Sequence, residues 1–169
     1  VGKTRLATFA CELVEDAGGT VVELAGSQLN GDAGFHPVRT CLERRCAIPR
    51  DADAAERLRL LSAEVRLRGL DPDDVVPRLA PVLGIPPDAG YVPVPVEGHR
   101  LHGEIADAVC AYLLATLAGG GGMLRIEDHQ WLDESTRGLV SRWIADEPPG
   151  VMTVLTVRAG ATPPTGSKV

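Results

Sequence analysis

Three short β-rich runs, TVVELAG (20–26), MLRIED (123–128) and VMTVLTVR (151–158), alternate with stretches of helical periodicity. This alternation constrains the fold more than any other feature of the sequence. Short apolar runs such as MLRI read as strands covered on both faces. Strands separated by helices cannot close as hairpins, so they pair in parallel through crossovers. The expected fold class is therefore α/β, a parallel sheet with flanking helices.

Between the runs the helical signals are specific. Residues 4–17 read as a helix with Leu6, Phe9, Ala10, Leu13 and Val14 on a core-facing side, ended by Gly18-Gly19. Asp53 to Glu56 resembles a capping box, with Ala54, Leu58, Leu61 and Val65 striped behind it. Asp71 caps a further helix whose first position is Pro72, and Pro77 should break it. Residues 84–98 form a proline-rich surface loop, and Leu101, Ile105, Val109, Tyr112, Leu113 and Leu117 stripe a long helix to about residue 118. Asp133 caps a last helix carrying Leu139, Val140, Trp143 and Ile144. We read GGGG (119–122) as a connection within one domain, 1–158, and AGATPPTGSKV (159–169) as a disordered tail.

Composition limits the function classes. Among 169 residues, 17 are basic and 23 acidic, a net charge of −6 that argues against direct nucleic-acid binding by this segment. No apolar run approaches the roughly 18–20 residues that span a bilayer. The sequence has no initiator Met and no signal peptide, and Cys11, Cys41, Cys46 and Cys110 form no C-x-x-C pair. Reduced thiols in a cytoplasmic protein are the expectation.

Three motifs carry chemistry. Gly2, Lys3 and Thr4 in VGKT are the last three residues of a phosphate-binding loop, G-x-x-x-x-G-K-[ST]. There, inward N–H groups and a helix N-terminus cradle phosphates, the lysine reaches the β- and γ-phosphates, and the hydroxyl holds Mg²⁺. MLRIEDHQWLD places Glu127 and Asp128 at a strand's end, where one acid can hold the metal's water shell and the other polarise a water. In TVLTVR, Thr156 and Arg158 close a strand where they can sense the γ-phosphate. Each has a plainer alternative: a chance tripeptide, a solvated acidic turn, a surface arginine. Their order puts all three on the same rim of a parallel sheet, where such folds bind ligands.

VGKTRL, EDHQWLD followed by ST, and LTVR resemble the ATPase domain of bacterial STAND-type regulators. In these an AAA-like P-loop NTPase is coupled to an adenylate/guanylate cyclase domain or a LuxR-type helix-turn-helix. AERLRLLSAEVRLRGLDPDDVVPRLAPVLGI and GHRLH resemble the same family, so the likeness runs from residue 1 to about 158. It implies strand order 5-1-4-3-2, ATP and Mg²⁺ as cofactors, a nucleotide-controlled switch, and nucleotide-dependent self-association. Val1, Gly2, Lys3, Thr4 and Arg5 would contact the nucleotide, with Thr156 and Arg158 as sensors. Glu127 and Asp128 would be the catalytic acids and, with Thr4, the metal site. The output domain would be the partner in the parent chain, and cyclase or DNA-binding activity would belong to it.

There are departures. The first four positions of the phosphate loop are missing, which places the first strand (beside 151–157) and a C-terminal lid outside the sequence; the chain alone is then expected to bind ATP poorly. Arg125 interrupts a strand that is apolar in the family, so it either snorkels at an edge or marks a degenerate copy. Gln130 stands where the family often has His, and His129 should face solvent or pack beside Trp131.

The resulting expectation is an ATP-binding, weakly hydrolysing regulatory NTPase module of a multidomain signal-transduction or transcription regulator, here as a fragment. The alternative is a degenerate pseudo-ATPase acting as a protein-interaction scaffold. A small-molecule kinase is a third reading, disfavoured by the W-L-D that follows the paired acids.

Overall fold

The computed structural model of the chain describes residues 2–28, 34–158 and Pro164. Val1 and, apart from Pro164, the tail expected over 159–169 lie outside the described residues. The elements run α1 (Lys3–Asp16), β1 (Val21–Ala25), α2 (His36–Arg45), α3 (Ala54–Leu67), α4 (Pro72–Leu79), α5 (Gly98–Leu117), β2 (Gly122–Glu127), α6 (Glu134–Asp146) and β3 (Val151–Leu155). They divide into two compact units. One joins the residues up to Pro37 with those from Thr116 onward, and the other is Val38–Ala115.

The first unit is an α/β layer. Its three strands are parallel in the order β1-β2-β3. Val22 and Leu24 of β1 pair with Leu124 and Ile126 of β2, and all four are buried. On that face α6 lies against the sheet, buries Leu139, Val140 and Trp143, and Trp143 Nε1 donates to Thr153 Oγ1 of β3 at 3.0 Å. The opposite face, carrying Met123, is covered by α1. The Gly18 and Gly19 N–H groups bond the Glu15 and Val14 carbonyls at 2.9 and 2.8 Å, which ends α1 and returns the chain to β1.

The face that α1 buries differs from the expected one. Ala7 is 3 % exposed and Cys11 8 %, whereas Leu6, Phe9 and Leu13 are 70 %, 55 % and 54 % exposed. Leu6 and Ala7 point about 100° apart on the helix. The small side chains at 7 and 11 let the helix backbone approach the sheet closely, which bulky residues there would prevent. Periodicity reports a stripe but not what it packs on.

The second unit is helical. Leu61 and Val65 of α3, Val75, Val76 and Leu79 of α4, and Val109, Tyr112 and Leu113 of α5 are buried. Asp53 caps α3 by accepting from the Glu56 N–H at 2.8 Å, but the Glu56 carboxylate turns to Arg59, so the capping box is only half made. α4 starts as expected, with Asp71 accepting from the Asp73 N–H and Pro72 at the first position. It continues through Pro77 for two residues before tightening into a 3-10 turn at Ala80–Leu83, a softer ending than a break. Glu64 accepts from Tyr112 Oη at 2.8 Å and Arg68 Nε at 3.0 Å, so a buried carboxylate links α3 to α5.

Candidate functional site

Parallel strands end at one rim, and the residues that follow them meet there. The turn after β2 is laced to both neighbours. Towards β1, the Gly26 N–H donates to the Glu127 carbonyl at 2.9 Å and the Ser27 N–H to the Trp131 carbonyl at 3.1 Å. A Cβ on Gly26 would lie 2.5 Å from the Asp128 carbonyl oxygen, so only glycine lets the turn sit against the end of β1. Towards β3, the Asp128 N–H donates to Thr156 Oγ1 and the His129 N–H to the Thr156 carbonyl, both at 3.1 Å. Gln130 bridges: its Nε2 donates to Asp128 Oδ1 at 3.1 Å and its Oε1 accepts from the Arg158 N–H at 3.2 Å. Asp128 itself has φ 49°, a left-handed conformation that costs a non-glycine residue roughly 1–3 kcal/mol and is held here by these bonds.

α1 begins at this rim. Lys3 Nζ donates to the Val157 carbonyl at 2.5 Å, joining residues 154 apart in sequence beside the Thr156–Asp128 bond. Gly2, the N-cap, has φ 138°, which side-chain-bearing residues rarely adopt, and nothing lies within 4 Å of where its Cβ would be. Among the described residues no side chain caps the first turn, and Lys3, Thr4 and Arg5 are exposed there.

Glu127 has a different neighbourhood. Arg125 and Glu127 are two apart on β2 and so share a face, the face of α1. Arg125 bonds the Glu127 carboxylate through Nη2, lies 3.4 Å from Glu23 Oε2 on β1, and touches Cys11 Sγ at 3.9 Å. It is in the middle strand and its side chain is 12 % exposed, so it does not snorkel at an edge; it is paired. Burial pulls its pKa down, but the charges of Glu127 and Glu23 outweigh that and hold it above the ordinary arginine value, so it stays a cation.

His129 does not face solvent. It is 6 % exposed, its Nε2 has no hydrogen-bond partner among the described residues, and burial together with the nearby Arg137 lowers its pKa, favouring the neutral ring. Asp133, further along the same segment, is also buried and accepts four bonds: Phe35 N–H, His36 N–H, Thr136 N–H and Thr136 Oγ1–H, at 2.8–3.1 Å. It caps α6 and fixes the start of α2 at once.

Of the residues singled out in the sequence, Lys3, Asp128, Thr156 and Arg158 come together at this rim through the bonds above, and Gly2, Thr4 and Arg5 lie with Lys3 at the start of α1. Glu127 ends β2 at the same rim with its carboxylate drawn to Arg125. Val1 lies outside the described residues. Gln130 is a linking residue that sequence reasoning did not count among the site residues, although it sits inside the acidic motif. An ammonium, two threonine hydroxyls, a carboxylate and a helix N-terminus are a donor set suited to a phosphate chain with a divalent cation. No cluster of three His, Cys, Asp or Glu able to hold a metal occurs among the described residues, so a cation here would draw further oxygens from the phosphates and water. The second unit has a cavity of about 460 Å³ lined by Leu58, Val76, Pro77 and Tyr91 with Arg66 and Asp73; none of the candidate nucleotide- or metal-site residues borders it. No protein-family model, curated protein or solved structure matches the chain.

Proposed function

We propose that the chain is the ATP-binding module of a larger regulatory protein, a P-loop NTPase of the AAA/STAND kind whose nucleotide state controls an output domain elsewhere in the parent. The reading is carried by one observation: the amine of Lys3, at the head of α1, lies on Val157 next to the Thr156–Asp128 bond. Three motifs far apart in sequence thus meet at the strand ends of a parallel sheet.

Further features support it. The order β1-β2-β3 is the 2-3-4 portion of the strand order that the family resemblance implies. Among the described residues the outer edge of β3 pairs with no strand, and Met152, Leu6, Phe9 and Leu13 stay exposed. Those features accord with a sheet that continues beyond β3 in the parent. In this reading Lys3 would exchange the Val157 carbonyl for phosphate oxygens, and the N–H groups that open α1 would take the phosphate chain. Thr4 and Asp128 would hold the cation's shell, and Thr156 and Arg158 would sense the terminal phosphate. Bound Mg²⁺ supplies charge neutralisation of the triphosphate.

The ion pair of Arg125 with Glu127 favours a second reading, a degenerate pseudo-ATPase that acts as a protein-interaction scaffold and whose parent binds no MgATP. The test is MgATP affinity of the parent protein with Lys3→Ala. Loss of one charge-assisted contact of about 1.5–3 kcal/mol should weaken binding by roughly 10–100-fold. Unchanged affinity would rule the site out.

A further inference from the structure

Arg125 is anomalous on physical grounds. A guanidinium in the central strand of a three-stranded sheet, beneath a helix, gives up hydration and must be paired. Leucine or isoleucine would fill the same space without that cost. Its Nε, moreover, is buried without a partner among the described residues, so the position is not optimised for arginine as packing. What the side chain does make is a bond to Glu127, an ion pair with Glu23 on the same face, and a contact with Cys11 Sγ of α1.

We propose that Arg125 is a positioning residue that tethers the Glu127 carboxylate to the α1 face of β2 and withholds it from the water that would attack a bound nucleotide. The inference rests on the ATP-binding reading above and deepens it. Releasing Glu127 would leave the buried guanidinium with Glu23 alone, so the tether is self-enforcing. Asp128 faces no such hold. Among the described residues its exposed carboxylate takes one side-chain bond, from the amide of half-buried Gln130 two residues on, and it is the acid left to serve the cation. A site built this way keeps its nucleotide and reports its presence instead of turning it over.

Two measurements test this. In the nucleotide-free chain, side-chain NMR should show resolved Arg125 Nη signals, the mark of hindered guanidinium rotation, which collapse in Glu127→Gln. A freely rotating Arg125 in the wild-type chain overturns the tether, and no Arg125 variant is needed to see it. In the parent protein, Arg125→Met combined with Glu23→Gln, which removes the leftover like charge, should keep MgATP affinity and raise turnover at least about tenfold, as expected when a general base is freed. Retained binding with unchanged turnover overturns the inference and leaves ATP binding standing. A wild-type parent that binds no MgATP overturns both.

Discussion

Cys11 Sγ donates to Met123 Sδ at 3.7 Å, which marks the line of contact between α1 and the sheet. With Ala7 one turn earlier, it defines the buried face of the helix. Ala7→Leu should overpack this contact and destabilise the chain by about 1–3 kcal/mol. Phe9→Ser and Leu13→Glu alter exposed positions and should change stability by less than about 0.5 kcal/mol. Urea denaturation of the three variants checks the contrast; comparable losses for Phe9→Ser and Ala7→Leu would mean the helix packs through its bulky stripe.

Asp133 holds two segments with one carboxylate. Its four bonds satisfy the first turn of α6 and the N–H groups of Phe35 and His36. Phe35 also has φ 59°, a conformation that needs support from its surroundings. Asp133→Ala leaves buried donors unpaired and should cost roughly 3 kcal/mol. Far-UV circular dichroism against denaturant measures it. A loss under about 1 kcal/mol would show that water replaces the carboxylate at little expense.

The outline of the fold was legible because local rules agree with the global answer. MLRI and VMTVL are too apolar and short for surface helices, and Asp71, Asp133 and the two glycines at 18–19 punctuate helices in ways that depend on neighbours a few residues away. The convergence of Lys3, Asp128 and Thr156 was readable from motif order, since parallel strands share a rim. The Glu127 half of the Arg125 pairing follows from strand alternation, but the Glu23 half does not, because Glu23 lies far upstream and only the register of β1 on β2 brings it opposite. The burial of His129 and the second bond set of Asp133 are likewise tertiary. So is the choice of α1 face, where a stronger apolar stripe lost to a smaller one that fits.

Cys46 should be chemically silent. Burial, then the charge of Glu64 and the neighbouring Cys41, push its pKa up to about 12. At pH 8 the thiolate fraction is then on the order of one in ten thousand, against roughly a quarter for an ordinary cysteine. Iodoacetamide should label Cys46 at least about a hundredfold more slowly in the folded chain than after denaturation, read by mass spectrometry of the digest. Because burial is the largest cause, Glu64→Gln should leave most of this protection in place. Fast labelling of the native chain would show that the α2 end opens.

His129 should make the chain acid-sensitive. Its folded pKa lies below the usual 6.5, first because the ring is buried and second because Arg137 is near. Above pH 6.5 the ring is neutral in both states and the site is indifferent to pH. As pH falls below 6.5 the unfolded chain binds a proton that the folded chain refuses, so unfolding takes up a proton and stability drops. The decline from this group ends once pH passes its folded pKa, where both states are protonated. His129→Leu removes the group while keeping an apolar side chain in the pocket, and its stability curve should be flatter between pH 6.5 and the acid side. Denaturation midpoints of both proteins across that range decide it; identical slopes would place the acid sensitivity elsewhere.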